Sequence, residues 1–320
     1  MARTHRAGDR ERRPPGLRIH ARTARVCVRM SFALHHARMR TLRTLFGLLT
    51  TLLLAGCQST VFAFVNRGLQ AADATVEYEP EQGLSLDVYR PRIDSGTAPV
   101  VVFFYGGSWQ SGKREGYRFV GRRLAEHGVL VVIADYRKAP QPSFPGYMED
   151  AAQAVRWARE HAREFGGDPE RLFLAGHSAG AQIAALLGTD ARYLRAYGID
   201  AAKLSGVIGL SGPYDFVVSG DLLGVFGRDP AMWARAQALN FVGGDEPPFL
   251  LVHGTGDRVV ESVDSTLLAQ RLRAQQVPVR LVMLPDAGHL APVAGLYEPS
   301  RAPQVLPAIL DFLCAPADAR

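Results

Sequence analysis

Cysteine is scarce in this 320-residue sequence: Cys27, Cys57 and Cys314 are the whole complement. They are too few and too scattered for a disulfide framework, and no CxxC pair is present, so neither a cystine scaffold nor a structural metal is expected. No internal repeat is visible. Long apolar runs are missing as well: the stretch Leu45 to Leu54 falls short of the roughly 20 residues a membrane-spanning helix needs. A basic excess is absent from most of the chain. The net charge of +6 arises in residues 1–56, which hold twelve Arg and no Lys against Asp9 and Glu11, and the remainder is net negative. The basic balance therefore gives no reason to expect a nucleic-acid partner.

Apolar residues are plentiful, at 47% against 21% charged, the balance of a chain that buries a sizeable core. At the N-terminus the sequence looks like an address. From Met39 two Arg precede the apolar stretch to Leu54, then small residues lead to Cys57, the layout of a secretory signal. Leu54-Ala-Gly-Cys57 resembles the bacterial lipobox, which implies cleavage before Cys57, acylation of that cysteine and a membrane-anchored protein facing the periplasm or cell exterior. Several acyl chains on one residue would hold a domain firmly. Arg12-Arg13 is followed by Pro14 and Pro15, without the apolar continuation of a twin-arginine signal. The expected organisation is a leader or disordered extension over 1–38, a signal over 39–56, a tether over 57–75 and one domain over 76–315.

Within that domain, apolar β-branched runs alternate with segments of helical spacing. Val100 to Tyr105 and Val129 to Ala134 are continuous enough for strands buried on both faces, and Leu172 to Ala175, Val207 to Leu210, Phe249 to Val252 and Val279 to Leu284 repeat the type. Tyr117 to Glu126, Met148 to Glu164, Ala179 to Leu187, Val263 to Gln275 and Gln304 to Leu313 have helical spacing. Parallel strands need crossovers of this kind, so an α/β fold with a mostly parallel central sheet and helices on both faces is expected. Val76 to Tyr89 alternates as an antiparallel hairpin does, with its turn near Glu81 to Gly83. Residues 212–248 fit the alternation poorly and suggest a small cap.

The chemistry centres on Gly176-His-Ser-Ala-Gly180. A G-x-S-x-G motif at the end of a strand and the start of a helix presents its serine at a tight turn, so Ser178 is the candidate nucleophile. Serine needs a base, and the base needs an orienting acid. Beyond Ser178 two histidines remain. His289 sits on a loop just past the last strand and is the candidate base, whereas His253 at a strand end is expected to pack or hold a loop. Asp257, on the loop after a strand, gives the chain order Ser, Asp, His. Its rivals are Asp215, read as an Asx turn opening the cap, and Asp286, too close to His289. An oxyanion site needs two backbone donors: the N–H of Ala179, and one from Tyr105-Gly-Gly-Ser-Trp109, with Gly107 first and Ser108 or Gly106 as alternates.

These motifs, together with Asp135-Tyr-Arg137, Phe144-Pro145, Gly166-Gly-Asp-Pro169, Gly212-Pro-Tyr-Asp215 and His253-Gly254, resemble the bacterial carboxylesterases of the α/β-hydrolase superfamily. The set is similar to the branch holding feruloyl-esterase-like enzymes, isoprenylcysteine methylesterases and kynurenine formamidases. The resemblance spans roughly residues 75–313. It implies the α/β-hydrolase fold and a serine esterase acting on a small-molecule ester without a cofactor. An amidase of the formamidase type is the alternative, and a binding protein that kept the fold without catalysis is a third. Relatives often carry His where this chain has Tyr105, a position whose phenol can brace the loop. Asp135 to Arg137 and Gly166 to Pro169 are read as structural turns. Oligomeric state is left open.

Overall fold

The computed structural model describes residues 62–93, 97–141 and 143–315. The expected leader, signal and acylated Cys57 lie outside these residues. The described part of the expected tether is docked on the domain. Phe62 is buried against Tyr117 and Phe119, with ring centroids 4.8 and 5.9 Å away. Asn66 fixes this segment: its amide donates to the Gly116 carbonyl at 2.7 Å and its oxygen accepts from the Phe119 N–H at 3.0 Å.

Eight strands form one sheet in the order β1-β2-β4-β3-β5-β6-β7-β8. They are β1 (Ala74–Glu79), β2 (Leu84–Tyr89), β3 (Ala98–Phe104), β4 (Leu130–Ala134), β5 (Gly167–His177), β6 (Gly206–Leu210), β7 (Phe249–Gly254) and β8 (Val279–Leu284). β2 pairs antiparallel with both β1 and β4, and all other pairings are parallel. The hairpin turn falls where expected, on a helical turn Pro80–Gln82 closed by Gly83 at φ 64°. Every residue of β3, β4, β6 and β7 is buried, which is why these strands read as unbroken apolar runs instead of alternating ones. Each fully buried Val or Leu on them contributes about 1.5–3 kcal/mol of transfer free energy.

Helices cover the sheet: α1 (Arg118–Ala125), α2 (Gly146–His161), α3 (Ala179–Thr189), α4 (Val263–Ala274), α5 (Ala291–Tyr297) and α6 (Val305–Cys314), with shorter helical turns between them. α3 follows β5 and is buried along its whole length, so its small residues, Ala179 to Ala181, Ala184 and Ala185, are the ones that fit against the strands. The cap stretch 212–248 folds as short helical turns at Gly220–Leu222, Leu223–Phe226, Pro230–Arg235 and Ala238–Phe241. Two segments read as turns are structural here. Asp150, fully buried, receives the Arg137 guanidinium at 2.6 Å, and Gly166 closes a helical turn at φ 89° ahead of β5.

Candidate active site

The sharp turn between β5 and α3 puts Ser178 at φ 55°, ψ −123°, a conformation that costs a β-carbon-bearing residue about 1–3 kcal/mol. Two glycines make the turn possible. A Cβ on Gly176 would stand 2.1 Å from the Gly180 carbonyl oxygen, and one on Gly180 would stand 2.0 Å from that of Phe104. Ser178 thereby sits at the head of α3, whose free N–H groups and dipole favour negative charge. It is 9% exposed and lines a pocket of about 380 Å³ together with Ser108, Ala179 and Phe216.

The structure joins the other two candidate residues. His289 Nδ1 lies 2.7 Å from Asp257 Oδ2. A carboxylate only accepts, so Nδ1 carries the hydrogen, and in the neutral ring Nε2 is then the nitrogen with the lone pair. Asp257 is anchored by three further donors: the N–H groups of Val259 and Val260 reach Oδ1 at 2.8 and 3.0 Å, and His253 Nε2 reaches Oδ2 at 3.1 Å. Burial pushes this carboxyl up, but the hydrogen bonds from His253 and His289 and the nearby imidazole charge outweigh it, holding the group well below the usual carboxylate range. Ser178 and His289 are not themselves hydrogen-bonded, since the Ser178 hydroxyl has no partner among the described residues. They are linked through His177, whose ring centroid is 4.9 Å from that of His289 and whose Nε2 lies 3.2 Å from the His289 carbonyl oxygen.

His253 holds a loop, as expected, and is fully buried. Its Nε2 faces two acceptors, Asp257 and the Val260 carbonyl at 3.1 Å, so Nδ1 accepts from the Ser265 hydroxyl at 2.7 Å. Of the rival acids, Asp286 is exposed at φ 55° with its N–H bonded to Thr255. Asp215 does not form the Asx turn expected of it. The backbone N–H groups of Tyr214 and Asp215 instead reach the carboxylate of Asp264, at 2.8 and 2.6 Å. That residue lies 49 positions beyond Asp215, too far for a local turn pattern to reveal.

The loop after β3 runs at positive φ for three consecutive residues, Gly107 (144°), Ser108 (52°) and Trp109 (58°). The Gly106 N–H is engaged by the Tyr117 hydroxyl at 3.1 Å, which removes it as a donor to a ligand. The N–H groups of Gly107, Ser108 and Ala179 have no acceptor among the described residues. Trp109 Nε1 donates to Gln182 at 3.0 Å, and the Gln182 amide donates to the Ala236 carbonyl at 2.8 Å, tying this loop to α3 and the cap. Phe216 and Phe226 pack on Trp109 at 5.5 and 5.0 Å. Tyr105 braces the loop as expected of its phenol: its hydroxyl donates to Asp135 at 3.0 Å and its ring stacks on Tyr136 at 4.7 Å.

Sequence reasoning did not single out Tyr117, and assigned His177 no role beyond its place in the motif. His177 is fully buried and its Nδ1 lies 2.8 Å from the Tyr117 hydroxyl. Because Nε2 faces a carbonyl, Nε2 donates and Nδ1 accepts from Tyr117. Burial, reinforced by the neighbouring His289, holds the His177 pKa down to about 3. A neutral ring in one tautomer thus connects the oxyanion-type loop, through Gly106 and Tyr117, to the loop of His289.

A mostly parallel eight-stranded sheet with helices packed on it and a serine on the tight turn between β5 and a buried helix defines the α/β-hydrolase fold. The chain belongs to the BD-FAE family, whose model matches residues 86–272. That match includes Ser178 and Asp257 and stops short of His289. The chain is 32% identical over 237 residues to Esterase LipC of Mycobacterium tuberculosis, covering 67% of this chain and 58% of LipC. It is 28% identical over 239 residues to a probable isoprenylcysteine alpha-carbonyl methylesterase of Arabidopsis thaliana, covering 67% and 50%. The chain thus spans only about half to three-fifths of the length of these curated relatives. Among solved structures, a truncated carbohydrate esterase from gut microbiota shares the fold at a TM-score of 0.65 and 18% identity, covering 77% of this chain and 97% of that one. A thermophilic esterase from Thermogutta terrifontis does so at 0.62 and 24%, covering 75% and 91%.

Proposed function

We propose that this protein is a serine hydrolase of carboxylic esters, with Ser178 as nucleophile, His289 as general base and Asp257 as the acid that orients it. The observation that carries the reading is the 2.7 Å contact between His289 Nδ1 and a four-donor Asp257, which leaves Nε2 as the free base on a loop braced by His177, the residue before a strained, unpartnered serine. The curated names of the relatives, an esterase and a methylesterase, support ester over amide.

In this mechanism Ser178 Oγ attacks the ester carbonyl as its proton passes to His289 Nε2. The oxyanion that forms is met by the N–H of Ala179 and that of Gly107 or Ser108. The alcohol leaves with the proton from His289. Water then attacks the acyl-serine, again deprotonated by His289, and the acid departs as Ser178 regains its proton. The imidazolium formed on the way is stabilised by Asp257, whose carboxyl stays ionised because its pKa is held low.

The test is hydrolysis of short p-nitrophenyl esters, with N-formylkynurenine as the amide comparison. Ser178→Ala should lower kcat on the order of 10⁶-fold, as loss of a serine nucleophile does elsewhere, and should abolish fluorophosphonate labelling. Wild-type labelling at another residue, or full activity in the variant, overturns the assignment. Export with acylation at Cys57 is proposed on the sequence pattern alone; Cys57→Ser should then release the protein to the soluble fraction, and retention at the membrane refutes it.

A further inference from the structure

The pocket beside Ser178 has an unusual electrical lining. Asp215, Glu261 and Asp264 all face it, while no Lys, Arg or His is among the lining residues; Arg258 directly precedes the lining Val259 but stays outside. Asp264 is the informative member. It is 6% exposed, and its Oδ1 already accepts the N–H groups of Tyr214 and Asp215. Its Oδ2 has neither a hydrogen-bond nor an ion-pair partner among the described residues. Buried carboxylates are ordinarily paired, because removing the charge from water is costly without a compensating donor. Burial accordingly pushes the Asp264 carboxyl up, against the pull of its two backbone bonds.

The same pocket offers aromatic surface. Trp109 and Phe216 line it, stacked at 5.5 Å. Carboxylates in a lining without Lys or Arg, set beside aromatic faces, are the combination that binds an organic ammonium, through charge attraction to the first and cation–π contact with the second. Ser178, itself 9% exposed, lines this same cavity, so a group held there lies within reach of the reacting ester.

We infer that the active-site pocket selects esters carrying an alkylammonium group, with Asp264 as the buried counter-charge and Asp215 and Glu261 as an acidic rim. The inference rests on the proposed esterase reading and specifies its substrate class. Neutral esters of the same shape fill the volume but bring no positive charge to Asp264, and anionic esters meet repulsion from three carboxylates.

The experiment compares isosteric pairs on the full chain. On the alcohol side the pair is acetylcholine against 3,3-dimethylbutyl acetate. On the acyl side it is p-nitrophenyl 4-(trimethylammonio)butyrate against p-nitrophenyl 5,5-dimethylhexanoate, with the p-nitrophenyl monoester of glutaric acid as the anion. In at least one pair the cationic member should have the higher kcat/KM, by about tenfold at low salt, and the excess should shrink as salt screens the rim. The glutarate ester should be the poorest acyl-side substrate. Asp264→Asn keeps a carbonyl oxygen for the two backbone donors while removing the charge, and should bring the cation-to-neutral ratio toward one; the double variant Asp215→Asn/Glu261→Gln should reduce it and its salt dependence. If Asp264→Asn fails to fold, the wild-type ratios and the double variant decide. Ratios of one or below in both wild-type pairs overturn the inference while leaving the esterase reading intact. Absence of hydrolysis of every ester, with no fluorophosphonate labelling, strikes the esterase reading itself.

Discussion

The buried ring of His177 donates from Nε2 to the carbonyl oxygen of His289, 3.2 Å away, so the residue preceding Ser178 holds the loop that carries His289. At its other edge the same ring accepts from Tyr117, whose oxygen accepts the Gly106 N–H. Three loops that are distant in sequence are kept in one arrangement by two side chains.

Removing the Tyr117 hydroxyl should loosen this arrangement without emptying the core. Tyr117→Phe keeps the ring contacts with Phe62 and Phe103 but leaves a buried N–H and the His177 Nδ1 without partners, at about 1–3 kcal/mol each. Steady-state kinetics should show kcat reduced about tenfold or more, as small displacements of reacting groups do, with KM nearly unchanged. An effect on KM alone would assign Tyr117 to substrate binding.

The His177 ring makes stability depend on pH in a defined window. Its pKa in the fold is about 3, below the value near 6.5 of an unfolded histidine. Between these values the unfolded chain binds a proton that the folded chain excludes, so stability falls as pH drops from about 6.5 toward 3, by a few kcal/mol in total. Asp257 is shifted in the same direction, a carboxyl held low, but its contribution is present above pH 3.8 and lost only below it. Urea denaturation at pH 7.5 and pH 5 should show a loss for the wild type and a smaller loss for His177→Gln; equal losses would contradict the shift.

Asp257→Asn should reduce kcat on the order of 10³ to 10⁴-fold, because an amide no longer specifies which nitrogen of His289 carries the hydrogen. Asp286→Asn, altering an exposed side chain, should stay within about threefold. Ester hydrolysis by the two purified variants, side by side, tests the assignment of the acid.

Gly106→Ala should be more damaging to turnover than to stability. The added methyl would stand 3.0 Å from His177 Nδ1 and Ser178 Cβ, close enough to displace Ser178 by tenths of an ångström. Gly180→Ala, with its methyl 2.0 Å from the Phe104 carbonyl oxygen, should instead fail to accumulate as folded protein. Thermal melting and kinetics together distinguish the two outcomes.

The local pattern of the chain was enough for the sheet and for the tight turn that carries the candidate serine. Strands buried on both faces must be written as unbroken apolar runs, and a turn as tight as that at Ser178 must be flanked by residues without bulk, so both are visible in consecutive residues. The chain order of Ser178, Asp257 and His289 followed from where each stands relative to a strand end. What consecutive residues do not encode is which partners meet across the fold. Asp264, rather than Asp215, holds the turn into the cap; the Gly106 N–H is taken by Tyr117, leaving Gly107 and Ser108 as candidate donors; and His177 braces His289. Each of these depends on contacts between residues 11 to 112 positions apart. Hydrogen-bond partners at that separation are set by how the helices and loops pack on the sheet, a property of the assembled molecule that no local periodicity records.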